Sequence, residues 1–532
     1  MALLMLALSG ITGMAHAATT EVDASFDRGV TLLLKKGFSA HAKGIRQLVL
    51  SKDPRVAPIL KAMLAGELYL RKKERDLVFA KREKRIYQIT SALDNRSLGQ
   101  VRKRVLRKVK VNNRLRRQLR AALAALDLRS PDRDVRLAAI GQMLVKPDAD
   151  IIDLVKGLRA GEKDSEVAQR MDLLLAFNDL TAASVATRLQ AVKRLSGSLQ
   201  PSVRNALNAR LKQESEPGVK KAIRQALHGI DSRVHFYAWL ETLFFGLSLG
   251  SVLVLAAIGL AITFGVMGVI NMAHGELIML GAYTTYVVQK MMPGHIGLSL
   301  LLAVPAAFLI SGLTGIVIER LIIRHLYNRP LETLLATFGV SLILQQAVRS
   351  IFSPLNRAVI TPEWMSGSVV INGALSLTYN RLYVILFALL VFFTLFAVLK
   401  RTRLGLQVRA VSQNREMAKA MGVRSDWVDA LTFGLGSGIA GVAGVALSQL
   451  TNVGPNLGQS YIIDSFMVVV FGGVGNLWGT LVGGLSLGVA NKFMEPYAGA
   501  VMAKILILVF IILFIQKRPR GLFPQKGRAV EV

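Results

Sequence analysis

Residues Gly265 to Tyr283 read GVMGVINMAHGELIMLGAY. Asn271, His274 and Glu276 stand there amid long apolar runs, and Gly265, Gly268 and Gly275 interrupt what would otherwise be uniform hydrophobic helix. Ionisable groups at membrane depth are costly and face a cavity or a bundle interior, while glycine lets the backbone break and approach closely. The stretch therefore predicts a broken or re-entrant membrane helix. Two readings of its polar groups are open: they line or gate a polar path, or they satisfy backbone groups freed by the break. A second interruption, FGGVGNLWGTLVGG from Phe471 to Gly484, contributes Gly472, Gly473 and Gly475. Paired breaks in two halves of a membrane protein point to a transport site between them.

Around these breaks, apolar stretches run approximately 240–262, 263–290, 296–318, 333–351, 381–399, 429–450, 461–475, 479–495 and 499–515. A span needs about 20 apolar residues, so eight or nine spans are expected, the seventh and eighth stretches being short and glycine-rich. Lys and Arg flanking spans are retained in the cytoplasm. The basic groups at Arg320, Arg324 and Arg329, from Lys400 to Arg424, and from Lys517 to Arg528 share one side only if the number of spans is odd, which favours nine. The segment 352–380 and everything before the first span then lie outside.

The chain has 532 residues and 66 Lys plus Arg against 34 Asp plus Glu, yet its mean hydropathy is positive. Splitting it near His235 resolves the conflict. Residues 1–235 hold 45 basic and 23 acidic residues, and 236–532 hold 21 and 11. The first part reads as soluble, the second as membrane. Residues 1–17 have an apolar run and end in Ala15-His16-Ala17, the A-x-A form of a signal-peptidase site, so export of residues 18–235 is expected.

Within 18–235 the phrases PDRDVRLAAI from Pro131, PSVRNAL from Pro201 and PGVKKAI from Pro217 each open a helix with proline or a capping residue, as in stacked helix-pair repeats. This resembles HEAT-like repeats. Alternation in 77–79 and 86–89 predicts a hairpin with Arg82-Glu83 near its turn. The cluster Arg102 to Arg120 carries ten Lys/Arg and no acid. Val101, Val105 and Val109, then Leu115 and Leu119, recur every four residues, so the charges read as the solvated face of amphipathic helices; with no aromatic interleaved to stack bases, nucleic acid is not the expected partner.

Several functions are excluded or disfavoured. With no cysteine there is no thiolate metal site, disulfide or cysteine nucleophile, and no metal ligand set is expected. Gly-Lys occurs nowhere, so no P-loop is present and any ATP is used by another chain. The two G-x-S-x-G matches, Gly246 to Gly250 and Gly484 to Gly488, lie inside apolar spans, where small-residue helix packing explains them. No catalytic residue is expected.

In the loop 400–428, RTRLGLQVRAVSQNREMAKAMGV from Arg401 places Asn414 to cap a short helix, Glu416 in its first turn, Ala418 as a small exposed surface and Gly422 at its end, with Gly405, Arg409 and Ala410 in the preceding element. Such a helix fits a groove on a partner.

Together GLAITFGVMGVINMAHGELIMLGAY, the R-T-R-x-G-x-x-x-R-A...N-R-E-x-A...G loop, FGGVGNLWG and RPRGLF resemble the permease subunits of the branched-chain amino-acid class of ABC importers. The long region before the first span, including VNNRLRRQLRAALAALDLRSPDRDVRLAAI, is similar to the urea permease of that class. The resemblance implies an all-α fold, a polytopic permease of eight or nine spans after a soluble HEAT-like domain, in a bacterial inner membrane with that domain in the periplasm. It implies as partners a second homologous permease, two ATPase subunits that use ATP, and a periplasmic binding protein, with no cofactor on this chain. Residues 405, 409, 410, 414, 416, 418 and 422 would couple it to the ATPases. For a small neutral solute, Thr263, Asn271, Gln345 and Gln346 join His274 and Glu276 as candidates along the path. A branched-chain amino acid or short amide is the alternative solute, and a self-sufficient channel or ion-coupled carrier the alternative from another class.

Overall fold

The computed structural model describes residues 24–51, 53–83, 86–145, 149–327 and 329–524; the expected leader, 1–17, lies outside them. The chain divides into two units, Met1–Asp231 and Ser232–Val532.

The first unit begins with helices α1 (24–34), α2 (Phe38–Ser51) and α3 (Val56–Ala65). Five strands follow: β1 (Leu68–Arg71), β2 (Leu77–Glu83), β3 (Ile86–Ser91), β4 (Ser97–Arg102) and β5 (Leu106–Lys108), in antiparallel order β4-β3-β2-β1-β5. The expected hairpin is thus part of a sheet, and the all-α expectation fails over 68–108. A flat five-stranded sheet would hold its edges roughly 19 Å apart, yet the four steps from Arg102 to Leu106 span at most about 14 Å. The sheet therefore curls into an open barrel around Val78, Ala80, Tyr87, Ile89 and Leu106, with the Tyr69 and Tyr87 rings 5.6 Å apart. Its other face packs Leu68, Leu70, Leu77 and Val109 against the helices.

The four-residue spacing of Val101, Val105 and Val109 misled because four is also two strand periods. Val101 lies in β4, Val105 in a 3-10 turn, and Val109 just past β5. Only the leucines continue as helix, α4 (Asn113–Leu128), where Asn112 Oδ1 accepts from Leu115 N at 2.8 Å and Leu115, Leu119 and Leu123 are buried.

The remaining helices of this unit are α5 (Arg133–Val145), α6 (Ala149–Arg159), α7 (Ser165–Asp179), α8 (Val185–Leu195), α9 (Pro201–Gln213) and the start of α10 (Pro217–Met267). Proline phrases open α5, α9 and α10, but the unit that repeats is three helices long. Arg136 Nη1 donates to Ser130 O and Pro131 O at 2.9 and 3.0 Å and its Nε lies 3.1 Å from Glu162 Oε2. Arg188 Nη1 donates to Ala182 O and Ala183 O, both at 2.9 Å, with Nε 3.0 Å from Glu214 Oε2. Each acid follows its arginine by 26 residues and accepts a backbone N–H two residues on, from Asp164 and from Glu216. The staple recurs at 52 residues, 136 to 188.

The second unit holds the rest of α10, then α11 (His274–Met291), α12 (Ile296–Leu321), α13 (Pro330–Phe352), a β6–β7 hairpin (Ser368–Asn372, Leu375–Thr378), α14 (Tyr379–Arg401), short α15 (Arg403–Gln413) and α16 (Arg415–Ala420), α17 (Ser425–Ser448), α18 (Leu457–Gly472), α19 (Leu477–Ala498) and α20 (Ala500–Lys517). Among the described residues six helices, α10, α12, α13, α14, α17 and α20, are long and apolar enough to cross a membrane, fewer than the eight or nine expected; α18 is apolar but shorter. The central element is α17, buried along nearly all its length against α11 and α12. Its GLGSGIAGVAG face permits this, since a Cβ on Gly441 would stand 2.5 Å from Ala307 O. By contrast α12, α13, α14 and α20 expose leucine, isoleucine and phenylalanine along broad faces, as helices facing acyl chains or another subunit do.

Candidate functional site

The first break lies between α10 and α11. Gly268, at φ 66°, ends the helix, and Asn271 Oδ1 accepts from Ala273 N at 3.0 Å to start the next. Thr337 of α13 accepts from Met272 N at 3.2 Å. His274 is fully buried, with Nε2 2.8 Å from Ala256 O and Nδ1 without a partner; with Nε2 carrying the proton, the ring locks α11 to α10. Glu276 Oε1 accepts from Ser341 Oγ at 3.1 Å, and Gln345 Nε2 donates to Pro455 O and Asn456 Oδ1, both at 3.3 Å.

These partners share one helix face. Thr333, Thr337, Ser341, Gln345 and Arg349 recur every fourth residue of α13, one stripe of a helix, and run from the break to the segment before α18. Of the two candidates Gln345 and Gln346, Gln345 is buried in the stripe, whereas Gln346 is exposed on another face. Thr263, also buried, spends its hydroxyl on Gly259 O and Leu260 O of its own helix. Thr337, Ser341 and Asn456 were missed, although hydroxyls at four-residue spacing within an apolar span were visible.

At the second break α18 ends at Gly472, Gly473 and Gly475 take φ of 106° and 77°, and Asn476 Oδ1 caps α19 by accepting from Gly479 N at 3.2 Å. The C-terminal RPRGLF motif stitches it: Leu522 N donates to Phe471 O at 2.9 Å, Phe523 N to Gly472 O at 3.1 Å, and Asn476 Nδ2 to Phe523 O at 3.2 Å. The structure brings the two breaks together. Gly265 packs directly on the backbone of Gly475, and Gly275 on that of Gly458. Beside the first of these contacts lies a cavity of about 270 Å3 bounded by Gly265, Gly475, Phe396, Lys400, Arg409 and Ser412.

The loop between α14 and α17 forms two short helices. Gly405 lies against the Leu399 backbone, to whose carbonyl Arg409 donates. Asn414 Oδ1 accepts from Met417 N at 2.9 Å, and Gly422, at φ 83°, ends α16. Ala418 is buried with Val408, Val411 and Val428, with Ala410 packed against them, so it is not the exposed surface expected. The outward residues include Leu406, Met417 and Met421 with Glu416 and Arg409. Arg415, also missed, donates to Tyr327 OH and to Asp429 on α17, and its guanidinium stacks 4.0 Å from the Tyr327 ring. Burial, with the Asp429 carboxylate nearby, pushes the Tyr327 phenol up to about 12, so it stays a neutral donor and acceptor. Among the described residues no His, Asp and Glu side chains gather as metal ligands.

The family described as the branched-chain amino acid transport system permease component matches residues 242–515. BraD of Pseudomonas aeruginosa, a high-affinity branched-chain amino acid transport system permease protein, is 32% identical over 295 residues, 54% of this chain and 96% of BraD. LivH of Escherichia coli, with the same description, is 31% identical over 297 residues, again 54% of this chain and 96% of the relative. No solved structure matches. Since the match begins with the apolar part of α10, ends within α20 and takes in both breaks and the short-helix pair, the chain belongs to the branched-chain amino acid permease family: it is a multi-pass membrane permease subunit of an ABC importer of that type, a transport component and not an enzyme.

Proposed function

We propose that the chain lines the solute path of a binding-protein-dependent importer, beside a second homologous permease, with two ABC ATPase subunits hydrolysing ATP and a periplasmic protein delivering solute. One observation carries the reading. The cavity bounded by Gly265 and Gly475 is walled on its other side by Gly405, Val408, Arg409 and Ser412 of α15, with no element between the short helices and the two breaks. Movement imposed on α15 and α16, whose exposed Leu406, Met417 and Met421 suit a partner groove, is delivered to the breaks; Arg415 carries the same movement into α17. The breaks and the α13 stripe then open alternately to either side. Counting α11, α18 and α19 with the six long apolar helices makes nine spans. With nine spans and the basic loops retained inside, we read α15 and α16 as cytoplasmic and residues 18–235 as periplasmic in a bacterial inner membrane, with α5–α10 as a HEAT-like stack.

Urea is the solute assigned first. The region before the first span resembles that of urea permeases, and the stripe offers amides and hydroxyls suited to a small neutral solute. A branched-chain amino acid is the second reading, favoured by the described function of BraD and LivH. Purification with co-eluting partners and solute-stimulated ATPase activity tests the importer; reconstituted chain moving solute without ATPase subunits would overturn it. Uptake of labelled urea and leucine in a deletion strain tests the solute, and loss of leucine uptake alone would sink urea.

A further inference from the structure

We propose that the end of the membrane unit away from α15 and α16 holds a carboxylate-binding site, a reading that rests on the topology proposed above. There α11 and α13 finish, and a cavity of about 480 Å3 is lined by Lys290, Arg349 and Arg357 together with Tyr286, Ser350 and Ser353, and by no Asp or Glu. Cations on the outer side run against the bias that retains Lys and Arg in the cytoplasm, so three at one cavity call for a function.

The other cations of that end have partners. Lys492 Nζ lies 2.6 Å from Glu495 Oε2, Lys504 Nζ 2.9 Å from Asp464 Oδ2, and the Arg381 guanidinium 4.7 Å from the Phe245 ring centre. Among the described residues none of Lys290, Arg349 and Arg357 is ion-paired. Arg349 Nη2 donates to Asn456 Oδ1 at 2.8 Å, and Glu276, the carboxylate within electrostatic reach of it, is held by Ser341. Arg357 is fixed from behind: its backbone pairs with that of Val453 at 2.7 and 2.8 Å and Nη2 donates to Phe352 O at 2.9 Å, while its buried Nε has no partner. Guanidinium groups with free N–H donors, one oriented by the Asn456 amide and the other by the Phe352 carbonyl, suit the two oxygens of a carboxylate. Arg349 also stands at the head of the α13 stripe, so an anion bound there sits where the proposed path begins. The carboxylate comes from one of two sources, a free amino acid or an Asp or Glu side chain of the docked solute-binding protein.

The test uses full-length chain in nanodiscs, treated with phenylglyoxal and analysed by mass spectrometry for modification of Arg349, Arg357 and, as control, Arg381. Acetate is expected to slow modification of Arg349 and Arg357 about threefold relative to chloride at equal ionic strength, in the range of an exposed ion pair, and to leave Arg381 unchanged. Leucine protecting at lower concentration than acetate, with leucinamide inert, identifies the solute as the source. Protection by the binding protein, with leucine no better than acetate, identifies the docked acid. Equal rates in acetate, leucine, binding protein and chloride, or equal slowing at Arg381, overturn the site. Lys290→Gln, at an exposed position, should weaken the protection; unchanged protection removes Lys290 from it. Failure here leaves solute-stimulated ATPase intact, whereas failure of the importer reading abolishes that stimulation and leaves the protection.

Discussion

Replacing Glu214 with alanine should release the second of the two staples in the N-terminal unit. The carboxylate is buried and accepts from Arg188 Nη2 at 3.1 Å, from Arg210 Nε and Nη2 at 3.0 and 2.7 Å, and from the N–H groups of Ser215 and Glu216 at 3.1 and 3.2 Å. Without it Arg188, itself buried, keeps only the carbonyls of Ala182 and Ala183. Removing one partner of a buried pair costs about 3–5 kcal/mol, and at about 1.4 kcal/mol per tenfold, amides of α8, α9 and the first turns of α10 should exchange at least about 100-fold faster. Hydrogen exchange of the full chain in nanodiscs reads this directly. Arg188→Met combined with Glu214→Leu should recover most of the protection, because an apolar pair of similar volume replaces a buried ion pair at little cost. The same change at Glu162, whose partner Arg136 is more exposed, should cost less. Exchange in Glu214→Ala within a few-fold of wild type, or a double variant as damaged as the single one, refutes the reasoning. The pH dependence has a definite sign. Burial pushes the Glu214 carboxyl up, but the Glu216 and Ser215 N–H groups and Arg210 outweigh it and hold the carboxyl at about 2. Its stabilisation is therefore complete above the ordinary carboxylate range and is lost progressively as pH falls from there through about 2, so exchange at pH 5 and pH 7, corrected for intrinsic rate, should match.

Arg415→Ala should leave basal ATPase activity of the assembled complex near wild type while solute uptake falls about tenfold, the loss of roughly one charged hydrogen bond; uptake and hydrolysis falling together would remove its transmitting role. Gly441→Leu should prevent α17 from packing on α12, read as loss of monodisperse protein on size exclusion, and recovery of normal protein would show that the helices can separate. Met421→Glu, at an exposed position, should reduce co-elution of ATPase subunits without changing the melting temperature of the chain; undiminished co-elution would place the docking face elsewhere.

Much of the membrane unit was legible because its signals are local. Gly268, Gly473 and Gly475 do take positive φ at the breaks, and Asn414 and Gly422 bound α16, whereas Gly265 and Gly275, read with them as interruptions, lie inside α10 and α11, where they admit close backbone approach. What escaped depends on neighbours distant in sequence. Arg415 read as one more basic loop residue until Tyr327 and Asp429 were brought to it. Ala418, apt for a surface, is equally apt for the gap beneath α15. The barrel was half seen: alternation gave β2 and β3, but Val101, Val105 and Val109 fit either period, and only pairing decided. The proline phrases of the first unit do not mark its period; what recurs is an arginine and a glutamate 26 residues apart, whose relation exists only in the fold.

The stitching of residues 518–523 onto the second break bears on how the chain is made. The carbonyls of Phe471 and Gly472 accept from the N–H groups of Leu522 and Phe523 respectively, and these donors leave the ribosome some fifty residues after the acceptors. Until then two backbone acceptors beside a glycine turn lack these donors, and a buried carbonyl without a donor is costly. A chain cut before Arg518 would therefore lack the segment that pairs with both carbonyls and with the Asn476 amide, and the turn that joins α18 to α19 would lose its cover.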